Sequence, residues 1–95
     1  MSEQKIHPLI EEADKKKNEG KHLEAIKLCE RMLTSDLNCV EAYEEIGDNY
    51  LSLRQYDKAT KALRQAIKLN RHSANANYLL VSLALSRFFQ LSKLT

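Results

Sequence analysis

The sequence predicts an all-α fold: antiparallel helix pairs stacked side by side, five helices in all, the last one long and apolar. Three observations lead there. Tyr43, Ile46, Gly47 and Tyr50 fall at i, i+3, i+4 and i+7, one face of a helix, and Ala59, Ala62, Leu63, Ala66 and Ile67 mark the face of a second. The same two-helix pattern stands 34 residues earlier, where Ile6 takes the place of Val40, Ala25 that of Ala59 and Cys29 that of Leu63. With only two Gly and one Pro in 95 residues, few positions break helical phase.

The first helix is expected over 3–18. Its apolar face is thin (Ile6, Leu9, Ile10, Ala13), because Glu12 and Lys16 stand where the later pair has Ile46 and Tyr50. Its outer half should be solvated, and Pro8 fits the first turn, where a missing N–H costs little. The second helix, 22–35, follows a turn at Gly20-Lys21-His22. The third, 39–53, carries Asn38 ahead of it and Glu41 three residues later, a capping-box pattern. Glu41, Glu44 and Glu45 lie near its positive end, and Lys68 and Arg71 near the negative end of the fourth helix, 56–70. Gly47 and Ala59 are small, so these two helices can approach closely, with Tyr43, Tyr50 and Leu63 filling the space around the contact.

The fifth helix, 74–93, is expected to rest Leu80, Val81 and Ala84 on the pair before it. Its remaining large side chains cannot share that stripe. A helix apolar on all sides is normally buried. Leu79, Leu83, Phe88, Phe89 and Leu91 are therefore expected in an interface with another copy of the chain, making a homo-oligomer; the alternatives are a partner or further repeats that cover the helix, or a membrane surface.

Charged residues are 29% and hydrophobic residues 43%, the balance of a soluble globular chain. Residues 1–95 are read as one domain: a first repeat at 6–39, a second at 40–73 and a partial third at 74–95. A net charge of +2 is too small to suggest a nucleic-acid binder. The basic residues Lys58, Lys61, Arg64, Lys68 and Arg71 have no interleaved aromatics for base stacking and read as a solvated face. No apolar run reaches the roughly 18 residues of a membrane span, and the N-terminus has no apolar secretion segment, so a cytoplasmic protein is expected. Cys29 and Cys39 form no metal or redox motif and read as buried thiols. His7, His22 and His72 are scattered, and no nucleophile with a base or glycine-rich phosphate loop is present. No enzyme activity, metal or cofactor is expected.

Counting Val40 as position one, Tyr43 is fourth, Ile46 seventh, Gly47 eighth, Tyr50 eleventh, Tyr56 seventeenth, Ala59 twentieth, Leu63 twenty-fourth and Ala66 twenty-seventh. This segment, Val40 to Ser73, resembles the tetratricopeptide repeat family, and Gly20-Lys21-His22 looks like the family's Gly-Asp-Tyr turn. Arg71 departs from the pattern, since the family usually places Pro there to end the second helix. The resemblance implies an α-solenoid whose first helices line a concave groove for a protein or peptide. It places Asp14, Lys17, Glu41, Glu44, Asp48, Leu51, Tyr78 and Leu85 in that groove. Their acidic balance suits a basic or mixed polar–apolar partner segment, although charges of this kind are also what a solvated helix face carries. A chaperone-tail clamp known in one subfamily would need amide and cationic groups at Ile10, Asp14, Glu45, Tyr78 and Ser82. None is there, so an acidic tail would not bind in that mode. The implied function is an interaction module, a scaffold or adaptor. The alternative is a structural element that assembles copies of itself through the last helix.

Overall fold

The computed structural model describes residues 8–92. Five helices follow one another: α1 (Pro8–Asn18), α2 (His22–Ser35), α3 (Val40–Ser52), α4 (Tyr56–Leu69) and α5 (Ala74–Ser92). No strand occurs among the described residues. The fold class is all-α, as the periodicity required. Residues 3–7 of the expected first helix and residue 93 of the last lie outside the described residues.

Consecutive helices pack in pairs along the chain. In addition α1 approaches α3 and α3 approaches α5, while among the described residues the backbones of α2 and α4 stay apart. The stack therefore has an inner side built by α1, α3 and α5, and an outer side built by α2 and α4. The body is elongated, 54 × 29 × 18 Å.

The turns show how closely the two pairs repeat. After α1, the Gly20 N–H donates to Lys17 O at 2.9 Å and the Lys21 N–H to Lys16 O at 2.8 Å. After α3, the Arg54 N–H donates to Leu51 O at 3.0 Å and the Gln55 N–H to Tyr50 O at 2.9 Å. Each is a Schellman ending whose hinge residue has left-handed backbone. That residue is Gly20 (φ 78°) in the first turn and Arg54 (φ 61°) in the second. A non-glycine residue there costs about 1 kcal/mol. Arg54→Gly is therefore expected to stabilise the chain by about 0.5 kcal/mol, the rest being lost to glycine's freedom when unfolded. Thermal unfolding checks this, and a lowered midpoint would contradict it.

The exits from α2 and α4 also match. The Asn38 N–H donates to Asp36 Oδ1 at 3.0 Å, and the His72 N–H to Asn70 Oδ1 at 3.1 Å. These Asx turns close the chain sharply without a proline, which is why Arg71 is tolerated where the family has Pro. They also correct the expected cap of α3. The residue before that helix is Cys39, and no side chain caps it. Asn38 sits inside the Asx turn instead. The equivalent place before α5 is Ser73, whose Oγ accepts the Ala76 N–H at 3.0 Å, a true N-cap.

Two cores hold the stack. Ala13, Ile26, Leu28, Cys29, Met32, Cys39, Ala42, Ile46 and Ala62 form one. Ala59, Leu63, Ala66, Ala76, Leu79 and Leu83 form the other. Both thiols are free and buried. Burial first, then the negative charges of Glu45 and Asp14, push the Cys29 thiol up to about 12, which keeps it protonated and unreactive.

The packing of α5 corrects two expectations. Leu79 and Leu83, assigned to an interface between chains, are 6% and 5% exposed and belong to this chain's own core. Conversely Val81 and Ala84 are exposed and Leu80 is only half-buried. The reason is visible 34 residues earlier. Ala42 and Asn49, the counterparts of Ala76 and Leu83, face back to α2, whereas Gly47, the counterpart of Val81, faces forward to α4. The backward-facing set, not the forward-facing one, is what seats α5 on α4.

Candidate functional site

The inner side is organised by Lys17. Its ammonium lies 3.2 Å from Asp48 Oδ2, 3.3 Å from Glu45 Oε1 and 3.8 Å from Asp14 Oδ1. Helical spacing explains the assembly: Asp14 and Lys17 are one turn apart on α1, and Glu45 and Asp48 one turn apart on α3. The contact of α1 with α3 brings the two pairs together.

One cation thus serves three carboxylates. Asp14 Oδ1 and Glu45 Oε1 are both shut off from water. Burial, then the neighbouring Asp14 carboxyl, raise Glu45 to about 7, against the lowering pull of Lys17. Burial works against the Lys17 charge, but Glu45 and Asp48 outweigh it and hold its pKa above the ordinary value. The cluster is short of positive charge, and near neutrality a proton on Glu45 partly makes up the difference.

Behind this cluster lies a buried polar support. Asn49 is fully buried. It donates from Nδ2 to Glu45 O at 2.7 Å, which leaves Oδ1 to accept from His22 Nδ1 at 2.8 Å. His22 therefore ties α2 to α3 and carries its proton on Nδ1.

The other expected groove residues divide into groups. Glu44 faces α5, where its carboxylate accepts hydrogen bonds from the Ser73 hydroxyl and, at 3.2 Å, from Asn75 Nδ2. It fastens the start of α5 and is not free for a partner. Glu41 is exposed beside Cys39, whose Sγ lies 3.8 Å from its carboxylate. Leu51 and Ser52 line an open, largely polar cleft with Arg54, Tyr56, Ser86, Phe89 and Gln90. Phe89, expected in a contact between chains, lines this cleft and is 63% exposed. Tyr78 and Leu85 are 67% and 55% exposed on α5. Spacing alone did not single out Glu45, Asn49 or Ser73. Their signal was equivalence, since Glu45 and Asn49 align with the seating residues Leu79 and Leu83, where a buried polar side chain calls for a partner.

On the outer side, Lys61, Arg64, Lys68 and Arg87 line an open basic cleft with Asp57. Arg87 bonds Asp57 at 3.1 Å and stacks its guanidinium 5.8 Å from the Tyr56 ring. Among the described residues no group of His, Cys, Asp and Glu could hold a metal ion. Among them also, no helix is long and apolar enough to cross a membrane.

Antiparallel helix pairs stacked in register, with alternate helices forming one side, define an α-solenoid of the helical-repeat class. Residues 40–73 match the family model of the tetratricopeptide repeat, and the five-helix fold is consistent with an array of this type. No curated protein matches the chain. Tetratricopeptide repeats generally mediate protein–protein interactions, and they are typically non-enzymatic.

Proposed function

We propose that the protein is a scaffold or adaptor module that holds a short protein segment against the inner side of α1, α3 and α5 by non-covalent contacts, without catalysis, in a cytoplasmic setting. The observation that carries this reading is the shortage of positive charge among Asp14, Glu45 and Asp48 around Lys17. A partner's Lys or Arg placed there would displace the proton on Glu45 and make charge-assisted hydrogen bonds. A large side chain a few residues on would lie against Leu51 and Phe89, in a cleft that Ser52, Arg54, Ser86 and Gln90 also line. The segment that fits is therefore basic at one point and apolar at another.

Selection of a displayed random-peptide library on the immobilised protein tests the reading. Peptides pairing a Lys or Arg with a nearby large apolar residue are expected to be enriched. Asp48→Asn combined with Leu51→Ser is expected to weaken their binding about tenfold or more, in line with losing one charged and one apolar anchor. Selection of the same peptides by both proteins would contradict the reading.

A further inference from the structure

The exposed side of α5 has an order of its own. Tyr78, Val81, Leu85 and Phe88 are 67%, 60%, 55% and 65% exposed. Their steps of three, four and three place them in one line along the helix, the spacing of a seam between two helices packed lengthwise. Leu91, 64% exposed, lies one turn beyond Phe88 and extends the apolar surface.

A further helix of the repeat type does not fit that seam. Gly47 lets α4 approach α3 so closely that a Cβ there would lie 2.5 Å from Leu63 Cγ and Cδ2. At the equivalent place α5 carries Val81, whose branched side chain holds a neighbour further off. Asn77 and Ala84 replace Tyr43 and Tyr50, two of the partly buried side chains packed against the second core. The face is cut for a wider, side-chain-to-side-chain contact.

Charge points to a like partner. Ala74–Ser92 contains no Asp or Glu, and its one charged residue, Arg87, is turned to Asp57 and Tyr56. Nothing along the seam asks for a charged partner, and two such seams meet without like-charge repulsion. The area is also sufficient. The five side chains expose roughly 600 Å² together, so two copies would bury up to about 1,200 Å², at the lower bound for a stable specific interface.

We propose that α5 packs on α5 of a second copy along Tyr78, Val81, Leu85 and Phe88, giving a twofold dimer. This goes beyond the groove reading and stands independently of it. It assigns Tyr78 and Leu85 to the dimer, so that a groove ligand is left with α1, α3 and the Leu51–Phe89 cleft.

Sedimentation equilibrium on the full chain is the test. The 11.0 kDa chain is expected at about twice that mass at micromolar concentration. Leu85→Glu with Phe88→Glu is expected to raise the dissociation constant about 100-fold or more, leaving a monomer with an unchanged helical circular dichroism spectrum. If that variant loses helicity, Leu85→Gln alone, a good helix former, is expected to weaken pairing about tenfold. Leu23→Glu and Leu37→Glu, exposed apolar positions outside α5, are expected to leave the dimer intact. A wild-type monomer at high micromolar concentration would overturn the proposal. So would a dimer that survives the α5 changes, or one that dissociates on the Leu23 or Leu37 changes.

Discussion

Gly47→Val is expected to cost about 3 kcal/mol, at the upper end for overpacking, and to lower the unfolding midpoint by about 15 °C. A Cβ alone would come within 2.5 Å of two Leu63 atoms, and Leu63 is fully buried. A valine adds two more carbons to that overlap. For a chain of this length, whose total stability is about 5–14 kcal/mol, the loss is a large fraction. Gly20→Ala makes the contrast. Nothing lies within 4 Å of a Cβ there, so only the left-handed backbone resists, at about 1 kcal/mol. Urea titration of both variants checks the pair. Equal losses would mean that close helix approach is not what Gly47 provides.

Lys17→Met is expected to destabilise the chain by about 2 kcal/mol at pH 8, between the values for exposed and buried ion pairs, and by clearly less at pH 5. The sign follows from Glu45. Its pKa in the folded chain, about 7, lies above its ordinary 4.5. The folded state therefore binds that proton more tightly than the unfolded state does. The stability this gives is fully present below 4.5 and is lost as pH rises through 7. Removing the Lys17 ammonium leaves Glu45, Asp14 and Asp48 facing one another, a penalty felt in full only when Glu45 is ionised. Denaturant titrations at the two pH values measure it. A loss independent of pH would show that Glu45 does not hold its proton in the fold.

Particular residues show what could be read in advance. Tyr43, Ile46, Gly47 and Tyr50 keep strict helical phase, and Ala59, Leu63 and Ala66 answer them on the next helix, so the helices and their pairing were legible. Asp14, Lys17 and Asp48 were expected along one groove, but their mutual neutralisation was not legible, because it depends on how α1 and α3 approach in space. Glu44 looked like a ligand contact, and only the position of Ser73 and Asn75 explains its role as a fastening. Leu79 and Leu83 were misassigned because a helix apolar on every side gives no phase signal of its own. The face it presents is set by α4, through the same positions that Ala42 and Asn49 use against α2.

The short reach of the contacts between helices has a consequence for how the chain reaches this form. Among the described residues every helix meets only its neighbour or its next neighbour along the sequence. Ordering thus requires closing short loops alone, each at small entropic cost. Such local topology belongs to chains that fold within milliseconds or faster, so the stack can assemble by adding one helix at a time to whichever pair forms first.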